Sequence, residues 1–290
     1  MIVSLDIFIQ IRRIPLRDFA GAWAASDIIQ LREAVPMSML NTDKRQIDCG
    51  GNAARNVSVR EKSRADVLLD YLFPPSCVCC GTLIPPDGDQ DCFCESCYER
   101  LLRASVPHFR RIEIGDRRVA VLTAMSFSTA PDCPSRALIL SMKNVRTSRS
   151  AYFSAQRLRS IMHMLPLGEG TVIAYVPRSR SGRRRYGFDQ METVAVRLSR
   201  MTGMPVMPCL ENTSQSIQKG LGAEARIRAV RGKYIVRTRY SERIRGADIL
   251  RIDDVCTTGA SIYECTRVLF AAGCAHVFPM CIADAAHDLI

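Results

Sequence analysis

The sequence lacks any long apolar run. Spanning a bilayer takes roughly 18 to 20 consecutive apolar residues, and the hydrophobic start of the chain is broken by Asp6, Arg12 and Arg13. Neither a membrane span nor a secretory signal is expected, and the chain reads as a soluble, cytoplasmic protein. Histidine is scarce as well. His108, His163, His276 and His287 stand apart from one another, which excludes a histidine-rich metal motif and leaves them as packing or surface residues. Acidic residues number 29 against 40 lysines and arginines, for a formal net charge of +11. That sign favours anionic partners, nucleic acid or phosphorylated metabolites, without choosing between them. No internal repeat is present. With charged residues at 24% and hydrophobic ones at 47%, wholesale disorder is excluded too.

What the chain has in plenty is cysteine. Of its 13 cysteines, Cys77, Cys79, Cys80, Cys92, Cys94 and Cys97 crowd into one short segment. In a reducing cytosol, clustered cysteines hold metal more often than they form disulfides. The pairs Cys77-x-x-Cys80 and Cys94-x-x-Cys97, separated by residues 81–93, have the spacing that closes four thiolates tetrahedrally on one structural Zn²⁺. Cys79 or Cys92 could substitute as a ligand in an alternative register. Pro85-Pro86-Asp87-Gly88 suits a turning ribbon with almost no core of its own, so the metal would supply much of its folding energy. Cys133, Cys209, Cys256, Cys265, Cys274 and Cys281 are scattered among apolar neighbours and read as small packing residues.

A chain of 290 residues has room for a small module and one full α/β domain. Residues 1–65 read as a poorly ordered or atypical extension, polar from Asn41 to Arg64. Residues 66–105 form the cysteine-rich module, entered by a short apolar helix over Val67 to Phe73 that Pro74-Pro75 stops. An Arg-rich connector through Arg118 leads into residues 106–290, where strand-like and helical patterns alternate, the signature of a parallel sheet flanked by helices. The expected strands are Val119 to Phe127, Val172 to Val176, Lys233 to Val236, Asp248 to Ile252 and His276 to Ile282. Helices are expected around Ser135 to Met142, Ala151 to Met164, Gln190 to Met201 and Ala260 to Ala272. In the third, Met191, Val194, Ala195, Leu198 and Met201 recur at helical spacing.

One strand–loop–helix unit carries chemistry. After Ile249-Leu250-Arg251-Ile252 come Asp253-Asp254-Val255-Cys256-Thr257-Thr258-Gly259-Ala260-Ser261, then a helix. The first N–H groups of that helix lack internal partners and form a seat for phosphate. Thr257, Thr258 and Ser261 add hydroxyl donors, and Gly259 lets the backbone approach closely. Asp253 and Asp254 would repel that phosphate unless they face hydroxyls. A sugar diol satisfies them, and they can stabilise positive charge at its anomeric carbon. Arg251, in a strand that should be buried on both faces, has no explanation at this level.

The stretch Asp253 to Ser261 resembles the phosphoribosyl pyrophosphate loop of type I phosphoribosyltransferases, in which two acids precede a Thr-Thr-Gly-small-Thr turn. From about Asp66 the chain resembles the competence protein F family, bacterial proteins that join a cysteine-rich zinc module to a phosphoribosyltransferase-like domain. Arg185-Tyr186-Gly187-Phe188-Asp189-Gln190 is similar to that family's Arg-Gly-Phe-Asn-Gln segment, with Tyr186 and Asp189 replacing Arg and Asn. Gln218-Lys219-Gly220-Leu221, Arg226 and Val230-Arg231-Gly232-Lys233-Tyr234 resemble its downstream pattern, with Ala229 where Asn is usual. Lys143 resembles a family lysine, followed here by Asn144 in place of Tyr.

The resemblance implies a type I phosphoribosyltransferase-like sheet with an N-terminal zinc ribbon. It favours Cys77, Cys80, Cys94 and Cys97 as the zinc ligands. Asp253 and Asp254 become the catalytic carboxylates, and Thr257, Thr258, Gly259, Ala260, Ser261 and Arg185 the binding residues for phosphoribosyl pyrophosphate with Mg²⁺. It also implies a place in DNA uptake or processing, with single-stranded DNA and uptake or recombination proteins as partners. The arginines from Arg178 to Arg200, seven against the two acids Asp189 and Glu192, suit pyrophosphate or a nucleic-acid backbone alike. The rival reading is a factor without turnover that binds single strands or senses the sugar phosphate. The segment from Glu211 to Gly222, where a lid would lie, holds no base-stacking aromatic.

Overall fold

The computed structural model describes residues 72, 74–85, 92–114, 117–144, 148–214 and 230–285. The extension over residues 1–65, the entry helix save for Leu72, the ribbon turn at Pro86-Asp87-Gly88, and the segments at Gln218 to Leu221, Arg226 and Ala229 lie outside the described residues. In chain order the elements are α1 (Glu95–Ala104), β1 (His108–Ile114), β2 (Arg117–Ser126), α2 (Pro134–Asn144), α3 (Ser148–Ile161), β3 (Val172–Tyr175), α4 (Arg180–Tyr186), α5 (Gln190–Thr202), β4 (Leu210–Asn212), β5 (Tyr234–Val236), α6 (Ser241–Ile244), β6 (Asp248–Cys256), α7 (Ala260–Ala271) and β7 (His276–Asp284).

The architecture is α/β: a five-stranded sheet in the order β1-β2-β7-β6-β3, parallel throughout except for β1. β6 and β7 are buried on both faces, which is why β7 reads as a near-continuous apolar run and β6 does so except at Arg251 and the two aspartates. On one face Leu250, Ile252, Met280 and Ile282 pack under Ala155 and Leu158 of α3 and Val194 and Leu198 of α5. On the other, Ile249 and Val277 meet Cys265 and Leu269 of α7 and the small β4–β5 sheet. The alternation follows from the period of two along a strand. α5 begins where the Asp189 side chain accepts from Met191 N and ends on a left-handed Gly203. Among the described residues no helix is long and apolar enough to cross a membrane.

The cysteine-rich segment shares this core. Phe93, Cys97 and Leu101 belong to the same buried cluster as Leu138 of α2 and Phe153 of α3. Phe93 meets Phe153 edge-on at 5.4 Å between ring centroids. Arg100 Nη2 donates to the Asp132 carbonyl at 2.6 Å and to its carboxylate at 2.8 Å.

Three stretches differ from their sequence reading. The expected connector contains β1, an edge strand paired antiparallel to β2 from His108↔Thr123 to Ile114↔Arg117. The Arg-rich turn after β3 is a helix, α4, capped by Ser179, whose hydroxyl accepts from Gly182 N, and closed by a left-handed Gly187. Finally, β6 runs on past Ile252 to Cys256, with Asp253 opposite Cys281 and Cys256 opposite Asp284. Only Thr257, Thr258 and Gly259 then separate strand from helix.

Candidate functional site

Because Asp253 and Asp254 are strand residues, the pleat divides them. Asp254 lies on the α2 and α5 side. Its carboxylate takes Lys143 Nζ at 3.2 Å and Gln190 Nε2 at 3.1 Å, groups supplied by the last turn of α2 and the first residue of α5. Asp253 lies on the α7 side, its Oδ2 3.7 Å from Arg251 Nη1 and its Oδ1 accepting from Asp254 N at 2.9 Å. Both are only 9% exposed, at the carboxyl end of a central parallel strand, where open α/β sheets receive ligands. Burial, and then the charge of Asp254, push the Asp253 carboxyl well above its ordinary range. Lys143 is held protonated by Asp254 against the opposing effect of its burial.

Arg178, in the loop three residues past the end of β3, completes this side. Its backbone N–H donates to Asp189 Oδ2 at 2.8 Å and its Nη2 to the Lys143 carbonyl at 2.8 Å. The guanidinium lies 4.4 Å from the ring centre of Tyr186 and 5.4 Å from that of Phe188, an orientation that cation–π attraction favours. Two atoms here are buried without a hydrogen-bond partner, Arg178 Nη1 and Gln190 Oε1. Buried polar atoms are nearly always satisfied, so orphans beside a carboxylate at a strand end are places a ligand can fill.

Thr257 is exposed and Thr258 half-buried at the turn. Gly259, with φ of 75°, opens α7. The glycine is required for a reason other than close approach of phosphate. A Cβ there would fall 2.6 Å from Ile112 Cγ2 and 2.8 Å from Cγ1, so β1 packs directly against the turn. Ala260 N lies near Thr258 Oγ1 at 3.4 Å, and Ser261 Oγ accepts from Tyr234 Oη at 3.4 Å. β1 is tied to the same end by Arg110, whose Nη1 donates to the Cys256 carbonyl at 2.9 Å and to the Asp284 carboxylate. His108 Nε2 lies 3.0 Å from the same carboxylate, which raises its pKa. Arg185 is exposed on α4 with its guanidinium over Tyr186, and no described contact joins it to the aspartates. In the same helix Arg180 pairs with Glu211 and Arg183 with Glu192.

The second constellation is the cysteine cluster. The Sγ atoms of Cys77, Cys80, Cys94 and Cys97 all lie within 4.8 Å of one another. A tetrahedron with Zn–S bonds of about 2.3 Å has edges of about 3.8 Å, so this cluster can hold zinc. The first knuckle turns through Gly81, whose N–H donates to the Cys77 carbonyl at 2.9 Å. Cys94 starts α1 and Cys97 sits in its first turn. Cys79 instead donates from Sγ to the Asp132 carbonyl at 3.4 Å, and Cys92 is buried beside Phe93 in the core. The alternative registers are thus not those brought together.

Of the residues singled out from sequence, the structure gathers the four cysteines, and it joins Asp254 to a lysine and a glutamine more than 60 positions away. Sequence reasoning did not assign Arg178 or Gln190 to the site. Gln190 closes the segment Arg185 to Gln190 that resembles the family motif, and Arg178 lies three residues past the end of a parallel strand. Either position was a usable signal.

No family model matches the chain, and no curated protein is significantly similar to it. Among solved structures, one described as the allosteric regulatory enzyme of purine biosynthesis aligns at 14% identity with a TM-score of 0.33. The alignment covers 50% of this chain and 30% of that one, so the chain spans less than a third of its length.

Proposed function

We propose that the chain is a phosphoribosyltransferase-like protein that binds phosphoribosyl pyrophosphate, with Mg²⁺, across the carboxyl end of β6, and that it serves DNA uptake or processing. The observation that carries the binding reading is Asp254. It is buried at a strand end, held by Lys143 and Gln190, and flanked by the orphaned Arg178 Nη1 and Gln190 Oε1. A furanose ring lying over the end of β6 meets both aspartates from opposite sides of the pleat, its 5-phosphate meets the first turn of α7, and its pyrophosphate meets Lys143 and Arg178. Among the described residues the carboxylates build no cage of three or more ligands. Mg²⁺ therefore enters as the counter-ion of the pyrophosphate, as it does on most phosphate substrates. The cysteine cluster is the place for one structural zinc.

Titration calorimetry with the sugar pyrophosphate and Mg²⁺ tests this. Charge-assisted hydrogen bonds of about 1.5 to 3 kcal/mol predict that Asp254→Ala weakens binding roughly 10- to 150-fold. Ribose 5-phosphate should compete better than pyrophosphate alone. No response at millimolar ligand, or an unaffected Asp254→Ala, refutes the reading. Pyrophosphate release with candidate bases then separates a transferase from a sensor. The DNA half rests on the resemblance and the net charge of +11. It predicts single-strand binding whose log–log salt slope is about 0.7 per phosphate contact, and binding indifferent to salt would remove it.

A further inference from the structure

Arg251 is the residue with least evident reason for its place. It sits in the middle of β6, 0% exposed, the largest fully buried side chain among the described residues. None of Nε, Nη1 and Nη2 has a hydrogen-bond partner. A guanidinium carries five donors and does not lose its proton in proteins, so burial cannot be relieved by neutralisation. Arginine is found in such places when it is paired.

The pleat of β6 puts residues 251 and 253 on one face, and Asp253 Oδ2 lies 3.7 Å from Arg251 Nη1. The neutral titratable groups around the pair are Tyr234 of β5, Cys256 of β6, Cys265 of α7 and Cys281 of β7, each made harder to ionise by burial. The charged groups that reach these cysteines are already paired, Glu264 of α7 with Arg267 and with the Gly232 N–H, and Asp284 of β7 with Arg110 and His108. Lys143, the other cation that Asp253 feels, makes its contact with Asp254 on the opposite face.

We propose that Arg251 is a positioning residue of the strand-end site, a sealed counter-charge that holds the Asp253 carboxylate at the end of β6 beside Asp254. Two effects push Asp253 toward its neutral form, its own burial and the adjacent Asp254, and Arg251 opposes both. With the guanidinium beneath it, two carboxylates can stand side by side, which a diol-binding strand end requires. The functional consequence rests on the proposed sugar-phosphate site, whereas the pairing itself does not.

The test therefore uses no ligand. The Asp253 carboxyl is titrated by carbon NMR, assigned by difference against Asp253→Asn, and melting temperatures are taken for Arg251→Met, Arg251→Lys, Asp253→Asn and the double variant Arg251→Met/Asp253→Asn. In Arg251→Met the Asp253 carboxyl should release its proton only at a proton concentration about tenfold lower than in the wild type. Arg251→Lys should stay close to wild type. Asp253→Asn strands a buried cation, and adding Arg251→Met should recover at least half of the lost melting temperature. Additive losses, or an Asp253 titration unmoved by Arg251→Met, would show a residue that merely fills space. Should Arg251→Met not fold alone, the double variant decides: melting below Asp253→Asn overturns the pairing. A protein that passes these tests yet ignores phosphoribosyl pyrophosphate loses the sugar-phosphate reading and keeps the pairing. The reverse result separates them the other way.

Discussion

The cysteine cluster and the end of β6 are both small polar constellations, but they are built from opposite ranges of the chain. Four thiols come together within residues 77–97, two from a turn closed at Gly81 and two from the start of α1. At β6, Asp254 meets Lys143, Gln190 and, through Lys143, Arg178. Those contacts exist only once a sheet, two helices and the loop after β3 are in place. The difference teaches where each should fail. A locally built site fails when its own ligands are changed, and a site built from distant segments fails with anything that displaces the elements carrying them.

The largest expected effect blurs that contrast. Since Phe93, Cys97 and Leu101 share a core with α2 and α3, losing the metal should unsettle the α/β part as well. Cys97→Ser, or prolonged chelation, should lower the melting temperature by roughly 10 °C or more. Metal analysis of the wild type should find about one zinc per chain. Cys79→Ala, which removes a thiol that donates to Asp132 and lies outside the set of four, should retain the zinc. If scanning fluorimetry shows equal losses for both variants, the assignment of ligands is wrong.

Next in size is Gly259→Ala, which forces a Cβ into Ile112 at a left-handed position. Strain of about 1 to 2 kcal/mol and overpacking of about 1 to 3 kcal/mol should appear in denaturant unfolding, with Ile112→Ala returning the second part in the double variant. Lys143→Met comes third. It should weaken binding of the sugar pyrophosphate about tenfold, roughly 1.4 kcal/mol, and should also lower the melting temperature, since the buried Asp254 loses its paired cation. Unchanged affinity in calorimetry would take Lys143 out of the site.

The smallest effect concerns pH. His108 has its pKa raised chiefly by the Asp284 carboxylate, so the folded protein holds this proton more tightly than the unfolded chain. That stabilisation is complete below the ordinary histidine range and fades as pH rises through the elevated value. Asp253, also raised, adds a slope of the same sign that is common to wild type and His108→Asn and so drops out of their comparison. Between pH 6 and 8, in zinc-replete buffer, the melting temperature of His108→Asn should fall less than that of the wild type. Parallel curves would show that the histidine's charge is uncoupled from folding.

Much of the fold was legible because its signals are local. The runs around Val172, Asp248 and His276 are apolar without alternation, as strands buried on both faces must be, and all three are strands. The α5 pattern of Met191, Val194, Ala195 and Leu198 is the buried face observed. β1 was hidden by its arginines. Arg110 is paired inward with Asp284 and Arg111 stands outside, so a charge-rich stretch that looked like a connector is an edge strand. Gly115-Asp116 between two such runs was the available hairpin signal. α4 was hidden likewise by three successive arginines, although Ser179 and Gly187 bracket it as caps do. Site residues were legible only where a motif is contiguous. That Asp253 and Asp254 belong to the strand, and so point apart, depends on the length of pairing between β6 and β7, which no short motif encodes.

The position of β7 carries a consequence for how the molecule is made. Among the described residues it follows every other strand in sequence yet lies between β2 and β6. A ribosome delivering this chain in order releases β1 and β2 first, then β3 and β6, and until residues 276–284 emerge the two pairs have no strand to join them. Their inner edges wait unpaired during synthesis, a state prone to sticking to other chains. The sheet is completed by a late insertion at its centre, and closure should be the slow step of its maturation.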